Sequence, residues 1–303
     1  MASVSVKDED LPDVVYFRFL DENGRISKES IKNALIKPPY PAKYYWNVIL
    51  FILALIVFLL WNFGVIPGNK LGFFCQDPIF SHKYEGDTIS ATTLGLGVAL
   101  LPVLVWFSVE RLRQGSMRKC ISLKCFFHFY LFAKQFIIGV LGVGIVAEIA
   151  KTIVGEHRPH FFDTCRPDTN VNCTPGSYIS SFTCTNTLVD RIDLIDSSRS
   201  FPSGHSALSW FTAIFCAYVV QRRLPSHIVG TSIKLLMLGI CVSFGLVCSL
   251  SRITDRRHHW WDVLAGTAIG ISGAAHMIRI TERHYRILKE QLLEVGERDI
   301  DEV

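Results

Sequence analysis

The sequence predicts an all-α membrane protein, a bundle of six transmembrane helices with an outward-facing site, and three observations carry that reading. Half of the 303 residues are hydrophobic and the mean hydropathy is +0.31, a balance that favours a membrane class over a soluble one. Six apolar stretches follow one another, at roughly 46–66, 89–109, 126–150, 206–221, 231–250 and 262–280. Basic residues collect beside alternate stretches, the asymmetry that orients spans in a bilayer.

Taken in order, residues 1–44 are a polar lead with Lys7, Asp8, Glu9 and Asp10 near its start and Pro38, Pro39 and Pro41 near its end. It reads as a cytosolic arm. The hydrocarbon core needs about 20 apolar residues per helix, so the first stretch is expected to remain as an uncleaved signal anchor. The fourth stretch is the shortest and can borrow a turn from Ser203 onward. The six spans occupy 45–280, and 281–303 forms a cytosolic tail that starts as an interfacial helix. Arg111, Arg113, Arg118, Lys119 and Lys124 in the second connection, Arg222 and Arg223 in the fourth, and Arg279, Arg283, Arg286 and Lys289 after the sixth span place those segments in the cytosol. The connections at about 67–88, 154–202 and 251–261 then face outward, and the longest of them, from about 160 to 200, is the natural cap over a site there.

The net charge of +4 is explained by these membrane flanks. Nucleic acid is excluded as a partner, because the basic residues sit beside spans with no soluble reading domain. Cys75, Cys165, Cys173 and Cys184 fall in outward loops, where disulfides form, and their pairing stays open. Asn172 opens the Asn172-Cys173-Thr174 triplet, the only glycosylation sequon in the chain.

Polar and basic residues concentrate in three outward segments. The first leaves the third span with Lys151, Glu156, His157, Arg158 and Pro159. Lys151 and Arg158 are seven apart, so a continuing helix would put both cations on one face, and Glu148, one turn earlier, can hold the Lys151 ammonium. The second, Phe201-Pro202-Ser203-Gly204-His205-Ser206, opens the fourth span, where free amides and the helix dipole favour an anion and Gly204 admits close approach of an oxyanion. The third runs from Ser251 to Asp262. His258 and Asp262 are four apart, so on a helix the carboxylate can brace one imidazole nitrogen and leave the other to attack.

Six spans place all three segments on one side. Together they form a phosphoryl-transfer set: His258 as nucleophile, Asp262 orienting it, His205 as general acid and then base, and Lys151, Arg158, Ser203, Gly204 and Arg252 as the phosphate-binding groups. Arg256 and Arg257 read as surface charges meeting headgroups, His157, His160 and His259 as structural, and Trp260 and Trp261 as an interfacial belt. A metal site on His205 and His258 is disfavoured, since the surplus cations would repel a divalent ion.

At these residues the chain resembles a known family. Lys151 to Pro159 fits K-x6-R-P, Pro202 to His205 fits P-S-G-H, and Ser251 to Asp262 fits S-R-x5-H-x3-D. These are the three signature motifs of the type 2 phosphatidate phosphatase superfamily, shared with vanadium haloperoxidases and glucose-6-phosphatase. The six-span layout, the Gly72-Phe73-Phe74-Cys75 turn and the position of the sequon resemble the animal lipid phosphate phosphatase branch. The likeness covers roughly 45–280. It implies Mg2+-independent hydrolysis, with no cofactor, of phosphatidate, lysophosphatidate, sphingosine 1-phosphate or ceramide 1-phosphate at the outer leaflet or lumen. The implied protein is a multi-pass membrane enzyme, at the plasma membrane with an extracellular site or luminal in an internal membrane, with a homo-oligomer left open. Two other classes stay in view: a same-superfamily phosphatase acting on a sugar phosphate or isoprenyl diphosphate, and a non-enzymatic lipid-binding membrane protein.

Overall fold

Five long helices arise where the apolar stretches predict them: α1 (Ala91–Gln114), α2 (Leu123–Val154), α5 (Gly204–Arg223), α7 (Thr231–Thr254) and α8 (Trp260–Asp301), with short helices α3 (Phe161–Cys165), α4 (Arg191–Asp196) and α6 (Ser226–Val229) between them. They belong to a computed structural model that describes residues 68–115, 123–170 and 172–301, with isolated positions between 49 and 65. The N-terminal arm, and the first predicted span apart from those positions, lie outside the described residues. Among the described residues four helices, α1, α2, α7 and α8, are long and apolar enough to cross a membrane. The chain is thus a mostly helical, multi-pass membrane protein.

The fifth long helix, α5, is the centre of the bundle and packs against all four of the others. Its composition explains why it reads as the shortest apolar stretch. Ser206, Ser209 and Thr212 are fully buried within it beside Phe211, Phe215 and Val220. A helix shielded from lipid by its neighbours can carry small hydroxyl residues, and these let backbones approach closely. The Ser203 side chain caps its start by accepting from the Ser206 amide.

The backbones of α5 and α8 approach closely. A methyl group at Gly266 would lie 2.3 Å from the Ser203 carbonyl oxygen, and one at Gly270 2.3 Å from that of Ala207. The spacing Gly-x3-Gly on an apolar helix gives the flat face that permits this contact. It also brings Ser203 within reach of α8, where its amide donates to the Asp262 carbonyl at 3.0 Å. Helix packing here sets the distance between the second and third motifs.

The loops at one end of the bundle fold into a small cap. Strand β1 (Phe73–Phe74) pairs antiparallel with β2 (Tyr178–Ile179), and disulfides join Cys75 to Cys173 and Cys165 to Cys184. Phe73, Phe161 and Cys165 form the cap's core, with Phe80, Phe162 and Phe182 against them. His157 belongs to this core: it stacks on Phe161 at 3.9 Å and bonds the Leu71 carbonyl at 2.6 Å. Asn172 is exposed on the same cap.

Candidate active site

The three motifs meet at the capped end of the bundle around a cavity of about 520 Å3. Lys151 comes from the end of α2, Arg158 from the loop beyond it, Gly204 and His205 from the first turn of α5, and Arg252 and His258 from the end of α7 and the turn before α8. The deeper wall is apolar, built from Leu94 and Val98 of α1, Val140 and Ala147 of α2, and Leu208 of α5. One end of the cavity is therefore charged and the other is lined by hydrocarbon.

Lys151 and Arg158 reach the cavity by a different route from a shared helix face. Helix α2 stops at Val154, and Gly155 adopts φ +65°, a left-handed conformation that ends helices and suits glycine. The turn packs so closely that a methyl group at Gly155 would sit 2.1 Å from the Asn69 carbonyl oxygen. Beyond it Arg158 is tied to the cap: its Nε donates to the Asp196 carbonyl at 2.8 Å and its Nη2 to Asp196 Oδ1 at 2.7 Å. Lys151 is held by Glu148 at 2.8 Å, and Glu148 also pairs with Arg199.

His258 also differs from its helical expectation, since it precedes α8. Its Nδ1 lies 3.5 Å from Asp262 Oδ2 and 3.5 Å from Ser200 Oγ. The same Asp262 oxygen accepts from Ser200 Oγ at 2.5 Å, from the His259 amide at 2.9 Å, and lies 3.2 Å from His259 Nδ1. Asp262 thus closes the start of α8 in the manner of a capping box while facing two imidazoles. The orientation leaves His258 Nε2 as the nitrogen away from the carboxylate. Burial, and after it the Arg158 guanidinium, push His258 down to about 3, so its imidazole is neutral across the physiological range.

His205 Nε2 lies 3.1 Å from the Ile89 carbonyl. A carbonyl only accepts, so the proton sits on Nε2 and Nδ1 is the basic nitrogen. Ser203 is fully buried, caps α5 and is not part of the cavity lining. Gly204 does line it, and a methyl group there would meet Lys151 Nζ at 3.4 Å.

Arg256 is exposed, but Arg257 is buried and lines the cavity, which corrects its reading as a surface charge. Its Nη2 donates to Asp196 Oδ2 at 3.1 Å, its Nε lies 3.2 Å from Asp87 Oδ1, and its guanidinium sits 4.8 Å from the Tyr84 ring centroid. Arg252 pairs with Asp87 at 2.7 Å and Asp255 at 3.1 Å. Asp87, Asp196 and Arg257 are the site residues that motif spacing misses. Asp87 stands in the loop before α1 and Asp196 ends the short helix α4, with no periodicity to mark either. Burial would raise Asp196, yet the Arg158 and Arg257 guanidiniums hold it well below the usual carboxylate range.

Among the described residues, one group of three brings imidazole and carboxylate ligand atoms all within 4.8 Å of one another: Glu156, His259 and Asp262. Its oxygens already accept from Trp261 Nε1 at 2.9 Å and from Ser200. Burial, and then the nearby Asp262, raise Glu156.

Comparison with known proteins places the chain in a family. No solved structure matches the chain. It is 32% identical over 214 residues to the phospholipid phosphatase homolog 1.2 homolog of Caenorhabditis elegans, covering 66% of this chain and 62% of that protein. It is 31% identical over 225 residues to a putative phosphatidate phosphatase of Drosophila melanogaster, covering 66% and 58%. Phospholipid phosphatase 1 of Rattus norvegicus is 30% identical over 229 residues, covering 74% of this chain and 79% of that one. The chain spans about three fifths of the length of the worm and fly proteins. The PAP2 superfamily pattern matches residues 132–286, which hold all three motifs and both cavity histidines, and the chain belongs to that superfamily.

Proposed function

We propose that this protein is an integral membrane phosphatase that removes the phosphate of a phosphorylated lipid at the outer face of its membrane. The observation that carries the reading is the two-sided cavity, with imidazoles and guanidiniums at one end and the apolar walls of α1, α2 and α5 at the other. A phosphate monoester bearing acyl or sphingoid chains matches both ends, whereas a sugar phosphate leaves the apolar wall unused. Phosphatidate, lysophosphatidate, sphingosine 1-phosphate and ceramide 1-phosphate all have this form. The names of the relatives support the same class.

His258 Nε2 attacks phosphorus while the Asp262 carboxylate, 3.5 Å from Nδ1, stabilises the cation that forms. The bond from phosphorus to the lipid oxygen breaks, and His205 Nδ1, having first taken the proton of the substrate's monoanionic phosphate, passes it to the departing alkoxide. Water then attacks the phosphohistidine, and His205 takes its proton. The P–N bond breaks and releases inorganic phosphate. Lys151, Arg158, Arg252 and the Gly204 amide stabilise the equatorial oxygens throughout. No metal is needed for this charge compensation, because fixed cations supply it.

A substrate panel on purified full-length protein tests the reading. Phosphate release from phosphatidate in detergent micelles is expected to exceed that from glucose 6-phosphate and to persist in EDTA. Loss of activity in EDTA with recovery on adding Zn2+ would overturn the metal-free chemistry. Equal or faster turnover of the sugar phosphate would overturn the lipid substrate. Peptide mapping after endoglycosidase treatment is expected to locate a glycan on Asn172.

A further inference from the structure

The two arginines that the motifs assign to phosphate do not stand alone. Arg158 bonds Asp196 at 2.7 Å, Asp196 bonds Arg257 at 3.1 Å, Arg257 pairs with Asp87 at 3.2 Å, and Asp87 pairs with Arg252 at 2.7 Å. Cation and anion alternate along the row. Its members come from the first outward loop, the loop after α2, helix α4, the end of α7 and the turn before α8.

We infer that Arg257 is a positioning residue for phosphate: through Asp196 and Asp87 it sets the guanidiniums of Arg158 and Arg252. The inference rests on reading the cavity as a phosphate site. Three arginines around one space repel one another, and the repulsion is strong where water is excluded. An intervening carboxylate converts that repulsion into two attractions and fixes each fork in a plane. Arg257 is the only cation of the row that bridges both carboxylates. Its other groups are taken up by protein: Nη1 lies 3.3 Å from His160 Nε2, and the face of the guanidinium meets Tyr84. Arg158 Nη1 also donates to the Arg257 carbonyl at 3.3 Å, so backbone and side chain of one residue hold the same guanidinium. A planar five-donor fork makes such a bridge, and a lysine ammonium does not reproduce it.

The test uses orthovanadate, whose five-coordinate form reports the grip on equatorial oxygens. Inhibition constants, with KM and kcat for phosphatidate, are measured on the full chain in detergent for the wild type, Arg257→Ala, Arg257→Lys and Asp196→Asn. Displacing catalytic groups by about 1 Å costs roughly 100-fold, so Arg257→Ala is expected to weaken vanadate by about that factor, with Arg257→Lys recovering only part of it. Asp196→Asn separates positioning from direct contact. If Arg257 works by positioning, losing the Asp196 charge weakens vanadate as well. Unchanged or tighter vanadate binding in Asp196→Asn overturns the inference, as does an unchanged constant in Arg257→Ala. A merely structural role would lower the active fraction and leave the inhibition constant of the remaining molecules alone. Should Arg257→Ala fail to fold, the near-isosteric Asp196→Asn decides by the same readout. Wild-type protein that binds vanadate yet releases no phosphate from phosphatidate sinks the proposed substrate, and the vanadate constants still judge the row.

Discussion

The two ends of the bundle bury the same kinds of charge in different arrangements. At the end away from the cap, Glu110 is 1% exposed and receives Arg223 Nε at 2.7 Å, Arg113 Nη2 at 3.1 Å and Gln114 Nε2 at 2.6 Å. Arg223 also lies 4.6 Å from the Trp106 ring centroid. That cluster ties α1 to α5, and its donors converge on one acid. At the capped end the charges run in a row around about 520 Å3 of space, beside two histidines. The contrast teaches how to read a buried ion pair. A cluster whose donors converge on a single acceptor is a staple, and one whose members border a cavity is arranged for a ligand.

The comparison breaks most sharply at His258. Replacing it by alanine is expected to abolish phosphate release while the protein still inserts in the membrane and elutes as the wild type does. Full turnover in that variant would return the capped end to the status of a staple. Glu110→Ala is the mirror experiment. Removing one partner from a buried ion pair costs about 3–5 kcal/mol, so thermal unfolding in detergent should move sharply downward. The turnover of the molecules that remain folded should be unchanged. A selective loss of kcat with normal stability would show that the far end also serves the chemistry.

The α5–α8 contact lies between these cases. Gly270→Ala forces a methyl group against the Ala207 carbonyl oxygen, and overpacking of this kind costs about 1–3 kcal/mol. Because the same contact holds Asp262 against Ser203, both unfolding temperature and kcat should fall. Unaltered kcat would show that the α5–α8 distance does not set the site.

The smallest effect is in the pH profile. His258 is depressed to about 3, so protonation removes the nucleophile only in strong acid, and the free-enzyme limb of kcat/KM should lie well below the ordinary histidine value of about 6.5. Arg158 is a lowering influence on that imidazole, so in Arg158→Ala the acid limb should move to higher pH. A wild-type limb near 6.5 would mean that His258 is not the group seen by the substrate.

The site was legible in the sequence wherever chemistry demands a residue type at a set spacing. Lys151, Arg158, His205, Arg252, His258 and Asp262 stand out for that reason. Arg257 was not, because it adjoins Arg256 and only the direction of each side chain separates them. The Gly266 and Gly270 signal was present in the sequence as Gly-x3-Gly, yet the surface it packs against belongs to another helix. Asp87 and Asp196 leave no local trace at all.

By itself the sequence determined the helical membrane class, the order of the apolar stretches and the three motifs whose residues gather at the cavity. These follow from hydropathy and side-chain chemistry, which are local. Tertiary structure alone decided that α5 is the buried centre, that Cys75 pairs with Cys173 and Cys165 with Cys184, and that Asp262 is shared between His258 and His259. Each of these depends on groups far apart in the chain, brought within a few ångströms by packing that no single segment encodes.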